Sequence, residues 1–212
     1  MDEGAILLDV KWIFFDVGST LVDETEAYDR RAREMIAGTD VTFSAFDSKR
    51  IELAKQGFDG NSEAINHFGL EKTSWHWEDE NPFEDAAETL EALKKRGYHL
   101  GIIANQVPGT AQRLATWGLL KCFDVVAASA ELGVAKPDPL IFEKALELAG
   151  CQPCDSAMVG ERLDNDICPA KELGMRTVWI RKGLSKYQPV DLGKNVADWI
   201  INNLPDLKAI FE

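Results

Sequence analysis

The chain has 212 residues, which at about 150 residues per domain means one domain, or one domain carrying an insertion. Hydrophobic residues make up 45% and charged residues 28%, a globular composition that argues against disorder. With 23 Lys and Arg against 36 Asp and Glu, the formal net charge of −13 argues against a nucleic-acid or anionic-membrane surface, because phosphate binding needs a basic stripe.

The first segment, MDEGAILLDVKW, is acidic, and its apolar stretch is too short for a signal peptide. No apolar run approaches the ~18–20 residues of a transmembrane helix. A cytoplasmic protein, monomer or homodimer, is the expectation. Trp12-Ile13-Phe14-Phe15 reads as the first strand, ending at Asp16. Residues 22–84 are polar and mostly helical, with Ala27-Arg31-Glu34-Met35 and Ile51-Leu53-Ala54 on helical spacing and no strand pattern. Trp75-His76-Trp77 closes the stretch and Asn81-Pro82 punctuates it. Ala86, Leu90 and Leu93 then mark a helix with a basic last turn and a stop at Gly97. Strands follow at Leu100–Ala104 and Phe123–Ala127. A helix at 138–149 has Asp138 as N-cap and Pro139 at its first position. Ala157–Val159 is a strand, Asp164–Leu173 a helix stopped by Gly174, Thr177–Ile180 a strand, and Trp199–Ile201 a last short strand. This alternation predicts an α/β fold, a Rossmann-like parallel sheet with a small helical domain inserted after the first strand. The division is 1–21 with 85–212 as the core, and 22–84 as a lid.

Ligands of open α/β sheets bind outside the carboxyl ends of the strands. Asp16-Val17-Gly18-Ser19-Thr20 follows the first strand and Asn105 the second. Lys136-Pro137-Asp138-Pro139 precedes a helix, and Gly160-Glu161 follows the fourth strand, with Asp164 and Asp166 close behind. Crowded carboxylates repel and call for a cation, and oxygen ligands of this kind suit Mg²⁺. Lys136 supplies positive charge for an anionic substrate.

These residues resemble the four motifs of the haloacid dehalogenase (HAD) superfamily, in its phosphatase-like subgroup with a helical cap: FFDVGSTL at 14–21, LGIIANQ at 100–106, the lysine of GVAKPDP at 133–139, and VGERLDND at 159–166. The resemblance covers essentially the whole chain. It implies a Mg²⁺-dependent phosphatase of small phosphorylated metabolites, with Asp16 forming an aspartyl-phosphate that water hydrolyses. It further implies that Lys136 neutralises nucleophile and phosphoryl oxygens, and that Asn105 faces the phosphate through backbone or side-chain donors. Asp16, Glu161, Asp166 and the Gly18 backbone carbonyl would hold the metal. Thr20 is expected to bond loop backbone, and Asp164 to cap its helix.

Three departures from the family pattern stand out. Gly18 replaces the second Asp, the acid that protonates the leaving oxygen. Ala104 replaces a hydroxyl residue, and Glu161 an Asp. They leave open a catalytically degenerate member that binds metal and a phosphorylated ligand or partner. A metal-free dehalogenase or a phosphonatase using a lid lysine (Lys49, Lys55 or Lys72) also remains open. His67, Trp75, His76 and Trp77 are read either as substrate-side residues or as a Trp-anchored lid core with surface histidines. Arg30, Arg31 and Arg33 could reach an anionic substrate or form a solvated helix face, and Arg162 could touch substrate or pair with neighbouring carboxylates. Cys151 and Cys154 form a CxxC that follows a helix and Gly150 rather than a strand, a spacing read as incidental beside redox or metal function. Cys122 and Cys168 read as buried small hydrophobes.

Overall fold

The computed structural model describes residues 10–189 and 197–212. Its elements in chain order are β1 (Trp12–Phe15), β2 (Val22–Asp23), α1 (Thr25–Ile36), α2 (Phe43–Lys55), α3 (Gly60–Phe68), β3 (Asn81–Pro82), α4 (Ala86–Lys95) and β4 (His99–Ala104). There follow α5 (Thr110–Thr116), β5 (Val125–Ala128), α6 (Ser129–Leu132), α7 (Pro139–Ala149), β6 (Ser156–Gly160), α8 (Cys168–Glu172), β7 (Arg176–Ile180), β8 (Trp199–Ile201) and α9 (Leu207–Ile210).

Six strands form one sheet in the order β5-β4-β1-β6-β7-β8, every pair parallel. Helices cover both faces, which is why the strands read as unbroken apolar runs. Alternate residues of β1 go to opposite sides. Ile13 and Phe15 pack with Leu100, Ile102 and Val159, while Phe14 packs with Ile103, Met158 and Phe142. Leu90 and Leu93 of α4 are fully buried in the first cluster, each contributing about 1.5–3 kcal/mol. The chain winds outward from β1 through β4 to β5, then crosses to β6, β7 and β8. The end of β1 is thus the point where the winding direction reverses, the place where α/β sheets open a crevice.

Helix α7 starts as its sequence indicates. The Asp138 carboxylate accepts from the Leu140 N–H at 2.9 Å, and Gly150 closes the helix in the left-handed conformation. All four cysteines are free, Cys122 buried and Cys168 half-buried.

Helices α1, α2 and α3 pack on one another through Ala32, Met35, Phe46, Ala64 and Ile65, a cluster separate from those of the sheet. The segment does contain strand, contrary to the sequence reading. Val22–Asp23 pairs antiparallel with Asn81–Pro82 where the chain leaves and re-enters the sheet domain. Two-residue strands are too short to display alternation. The expected helix Asp164–Leu173 also differs. A wide π turn over Leu163–Ile167 comes first, and α8 begins only at Cys168.

Candidate active site

Asp16 still follows the sheet: its N–H donates to the Val159 carbonyl at 2.9 Å. The backbone then turns sharply, with Ser19 at φ 51° and the N–H groups of Leu21 and Val22 returning to the Val17 carbonyl. At the end of neighbouring β4, Asn105 makes a reciprocal pair with the loop before α7. Lys136 N–H donates to Asn105 Oδ1 at 2.7 Å, and Asn105 Nδ2 donates to the Lys136 carbonyl at 2.8 Å. Oδ1 and one of the two Nδ2 hydrogens are thereby engaged, which holds the Asn105 side chain against the Lys136 backbone.

The pair aims the Lys136 side chain, 1% exposed, at the end of β1. Its Nζ donates to Asp16 Oδ1 at 2.6 Å, Asp166 Oδ1 at 2.5 Å and the Ile103 carbonyl at 3.0 Å, which uses all three donors. Asp166 is held from the other side by the Arg162 N–H, which donates to Oδ2 at 2.9 Å. Gly160 makes this seat possible, because a Cβ there would lie 2.6 Å from Asp166 Oδ2. Trp179 Nε1–H donates to the Glu161 carbonyl at 2.7 Å and fixes the turn after β6. Carboxylate oxygens of Asp16, Glu161 and Asp166 fall within 4.8 Å of one another.

Burial governs the electrostatics. It pushes Asp16 up to about 6, against the Lys136 charge that lowers it and with the Asp166 charge that raises it. Glu161 is held well above the ordinary carboxylate range by burial and then by Asp166 and Asp16. Burial alone would lower Lys136, but the charges of Asp16 and Asp166 outweigh it and hold the ammonium above its usual value. A divalent cation would relieve the repulsion, and an all-oxygen carboxylate set matches the preference of Mg²⁺. The residues present fit that ion.

A further carboxylate, not apparent from the sequence, stands beside the loop. Glu24, just before α1, reaches back so that a Cβ on Gly18 would lie 2.7 Å from Glu24 Cδ. Ser19 Oγ donates to Glu24 Oε2 at 3.0 Å. Burial, with Glu80 and Asp16 nearby, pushes Glu24 up to about 8. The signal in the sequence was the glycine at 18, which leaves room for a side chain from elsewhere.

Of the triad, Glu161 lines a cleft of about 610 Å³ between the helical segment and the sheet, together with Ser19, Tyr28, Arg50, Arg162 and Lys182 among others. Arg162 ties the two sides together. Its Nη1 donates to Asp59 Oδ2 at 3.0 Å, and its Nε and Nη2 donate to Asp164 at 3.1 and 2.6 Å. Asp164 is therefore an ion-pair partner and not the helix cap its position indicates. Thr20 also departs from expectation: its buried hydroxyl has no hydrogen-bond partner among the described residues.

The aromatic and histidine residues of the segment 67–77 do not line the cleft. Trp75 Nε1–H donates to Glu80 and the ring meets Tyr28 edge-on. His76 lies between Glu34 and Glu78, Trp77 is exposed, and His67 packs edge-on against Phe68. Arg30 pairs with Glu34, Glu78 and Asp79, Arg31 donates to the Thr73 carbonyl, and Arg33 pairs with Asp29. Of the lid lysines, Lys49 pairs with Glu52 and Lys55 sits over the Tyr187 ring.

The family model for haloacid dehalogenase-like hydrolases matches residues 10–174. The chain is 32% identical to a glyceraldehyde 3-phosphate phosphatase of Pyrococcus furiosus, over 96% of this chain and 93% of that protein. It is also 32% identical to the protein of that name from Methanothermobacter thermautotrophicus, over 95% and 99% of the two chains. Among solved structures it resembles a HAD phosphatase of Thermococcus onnurineus, with a TM-score of 0.64, 28% identity, and 95% and 97% of the chains covered.

Proposed function

Because this chain belongs to the haloacid dehalogenase-like hydrolases, we propose that it is a Mg²⁺-dependent phosphatase of small phosphorylated metabolites that works through an aspartyl-phosphate on Asp16. The observation that carries this reading is the arrangement of Lys136 between Asp16 and Asp166, with Glu161 completing a carboxylate triad at the end of β1. An oxygen of Asp16 attacks phosphorus in line with the ester oxygen. Lys136 holds Asp16 in place and offsets the negative charge that gathers as nucleophile and phosphoryl group approach. Asp16, Glu161, Asp166 and the Gly18 carbonyl would hold Mg²⁺, which supplies positive charge against carboxylate–phosphate repulsion. Asn105 faces the phosphoryl oxygens through its backbone N–H or its remaining Nδ2 hydrogen.

Residues 22–84 act as a cap over the cleft, and the core comprises 1–21 and 85–212. The cleft of about 610 Å³ suits a small substrate, and the named relatives point to three-carbon sugar phosphates. Among the described residues no helix is long and apolar enough to cross a membrane. The test is phosphate release from a panel of small phosphate monoesters, with Mg²⁺ or with chelator, by the wild type and by Asp16→Asn. Release that requires both Mg²⁺ and Asp16 supports the reading. Release indifferent to either refutes it.

A further inference from the structure

Breaking a phosphate ester expels an alkoxide unless a positioned acid protonates the departing oxygen, and such an acid contributes typically ~10²–10⁴-fold. Most carboxylates near Asp16 are committed elsewhere. Asp166 gives one oxygen to Lys136 and the other to the Arg162 N–H. Glu161 belongs to the triad. Glu80 gives Oε1 to the Trp75 indole, while its Oε2 meets no partner among the described residues. Glu24 differs. Its carboxylate occupies the space that a side chain on Gly18 would take, on the turn that begins at Asp16, with Cδ and Oε2 each 2.7 Å from the position of that Cβ. Ser19 Oγ, on the same turn, donates to Oε2 at 3.0 Å and orients the group. Gly18 and Glu24 are thus complementary: the absence of a side chain at one admits the carboxylate of the other.

We infer that Glu24, entering the site through the gap at Gly18, protonates the leaving-group oxygen and later accepts the proton of the attacking water. The inference rests on the Asp16 chemistry proposed above. In the first step an Asp16 oxygen bonds to phosphorus and the phosphorus–ester oxygen bond breaks. Its electron pair stays on the ester oxygen, which takes the Glu24 proton and leaves as an alcohol. In the second step water bonds to phosphorus, its proton passes to Glu24, and the bond between phosphorus and Asp16 breaks. Inorganic phosphate departs, and both carboxyl groups return to their starting states.

The test compares two substrates on the full chain with Mg²⁺: glyceraldehyde 3-phosphate, whose alcohol needs a proton to leave, and 4-nitrophenyl phosphate, whose phenolate leaves unaided. Glu24→Gln keeps the shape and an acceptor for Ser19. It should lower kcat on the alkyl ester ~10²-fold or more and lower it far less on the aryl ester, whose turnover also reports a folded site. Gly18→Asp/Glu24→Ala should recover alkyl-ester turnover by restoring a carboxylate in the same space. Equal losses on the two substrates in Glu24→Gln, with no recovery in the double variant, overturn the inference, as does the absence of any loss. Asp16→Asn separates the two levels. If it is inactive while the Glu24 variants behave as wild type, the Glu24 role alone falls. If it is fully active, the aspartyl-phosphate reading falls and takes the Glu24 role with it.

Discussion

Lys136 Nζ lies 2.6 Å from Asp16 Oδ1 in a contact almost sealed from solvent, and the same ammonium reaches Asp166 Oδ1 at 2.5 Å. One cation thus neutralises two carboxylates, and removing it strands both. Breaking a buried pair by deleting one partner costs about 3–5 kcal/mol. Lys136→Met keeps the length of the stem and removes the charge. In chelator it should lower the stability read from urea unfolding by that order. A midpoint equal to wild type would contradict the arrangement.

The raised carboxylates set a pH dependence. Asp16 moves from 3.8 to about 6 and Glu24 from 4.5 to about 8. In that window the folded chain holds protons that the unfolded chain has released. The stability these two groups contribute is therefore fully present below their unfolded values and is lost as pH rises through about 6 for Asp16 and about 8 for Glu24. Metal-free protein should melt at a lower temperature at the alkaline end of this window than at the acid end. Glu24→Gln should flatten the upper part of the decline. A metal-free melting temperature that rises across the window would contradict both shifts.

Mg²⁺ held by the triad as proposed would favour the deprotonated carboxylates of the folded state and so should offset that decline. Two unit charges ~4 Å apart cost on the order of 4 kcal/mol at an effective dielectric of ~20, and the triad gathers three carboxylates. Millimolar Mg²⁺ should raise the melting temperature of the wild type. The shift should vanish in Asp16→Ala, nearly vanish in Glu161→Ala and weaken in Asp166→Ala. Asp164→Ala should keep it, since Asp164 is occupied with Arg162. An unmoved wild-type curve would remove the metal from the account.

Much of this site was legible in the sequence because each strand end carries its own signal. Asp16 ends an apolar run, and Lys136 sits just before a Pro-started helix. Asp166 follows Gly160 at short range, so local pattern and parallel topology together bring the three to one rim. Glu24 was not legible. It belongs by sequence to the helical segment, and only the three-dimensional turn returns its carboxylate to Gly18. The β2–β3 pairing escaped notice because two residues cannot show a period. Asp164 has the residue type and place of a cap, but Arg162 captured it as an ion-pair partner and the chain entered a π turn instead.

Asp59 joins local structure to the cleft. Its Oδ1 accepts from the N–H groups of Asn61 and Ser62 at 3.2 Å each, capping α3, while Oδ2 accepts from Arg162. Asp59→Ala should cost about 0.5–2 kcal/mol through the lost cap. It should also raise KM, because the tie between α3 and the loop carrying Glu161 is cut. Arg162→Ala should raise KM with less loss of stability, since the cap remains. Equal KM values in wild type and both variants would show that the tie does not shape the cleft.

The central claim is that Asp16 carries the phosphoryl group. Wild-type protein turning over a small phosphate monoester with Mg²⁺ should be quenched in acid, digested and analysed by mass spectrometry. A phosphoryl group on the peptide containing Asp16, absent from Asp16→Asn, is the predicted result. Phosphate release with no phosphorylated peptide, or with the group on another residue, would contradict the account.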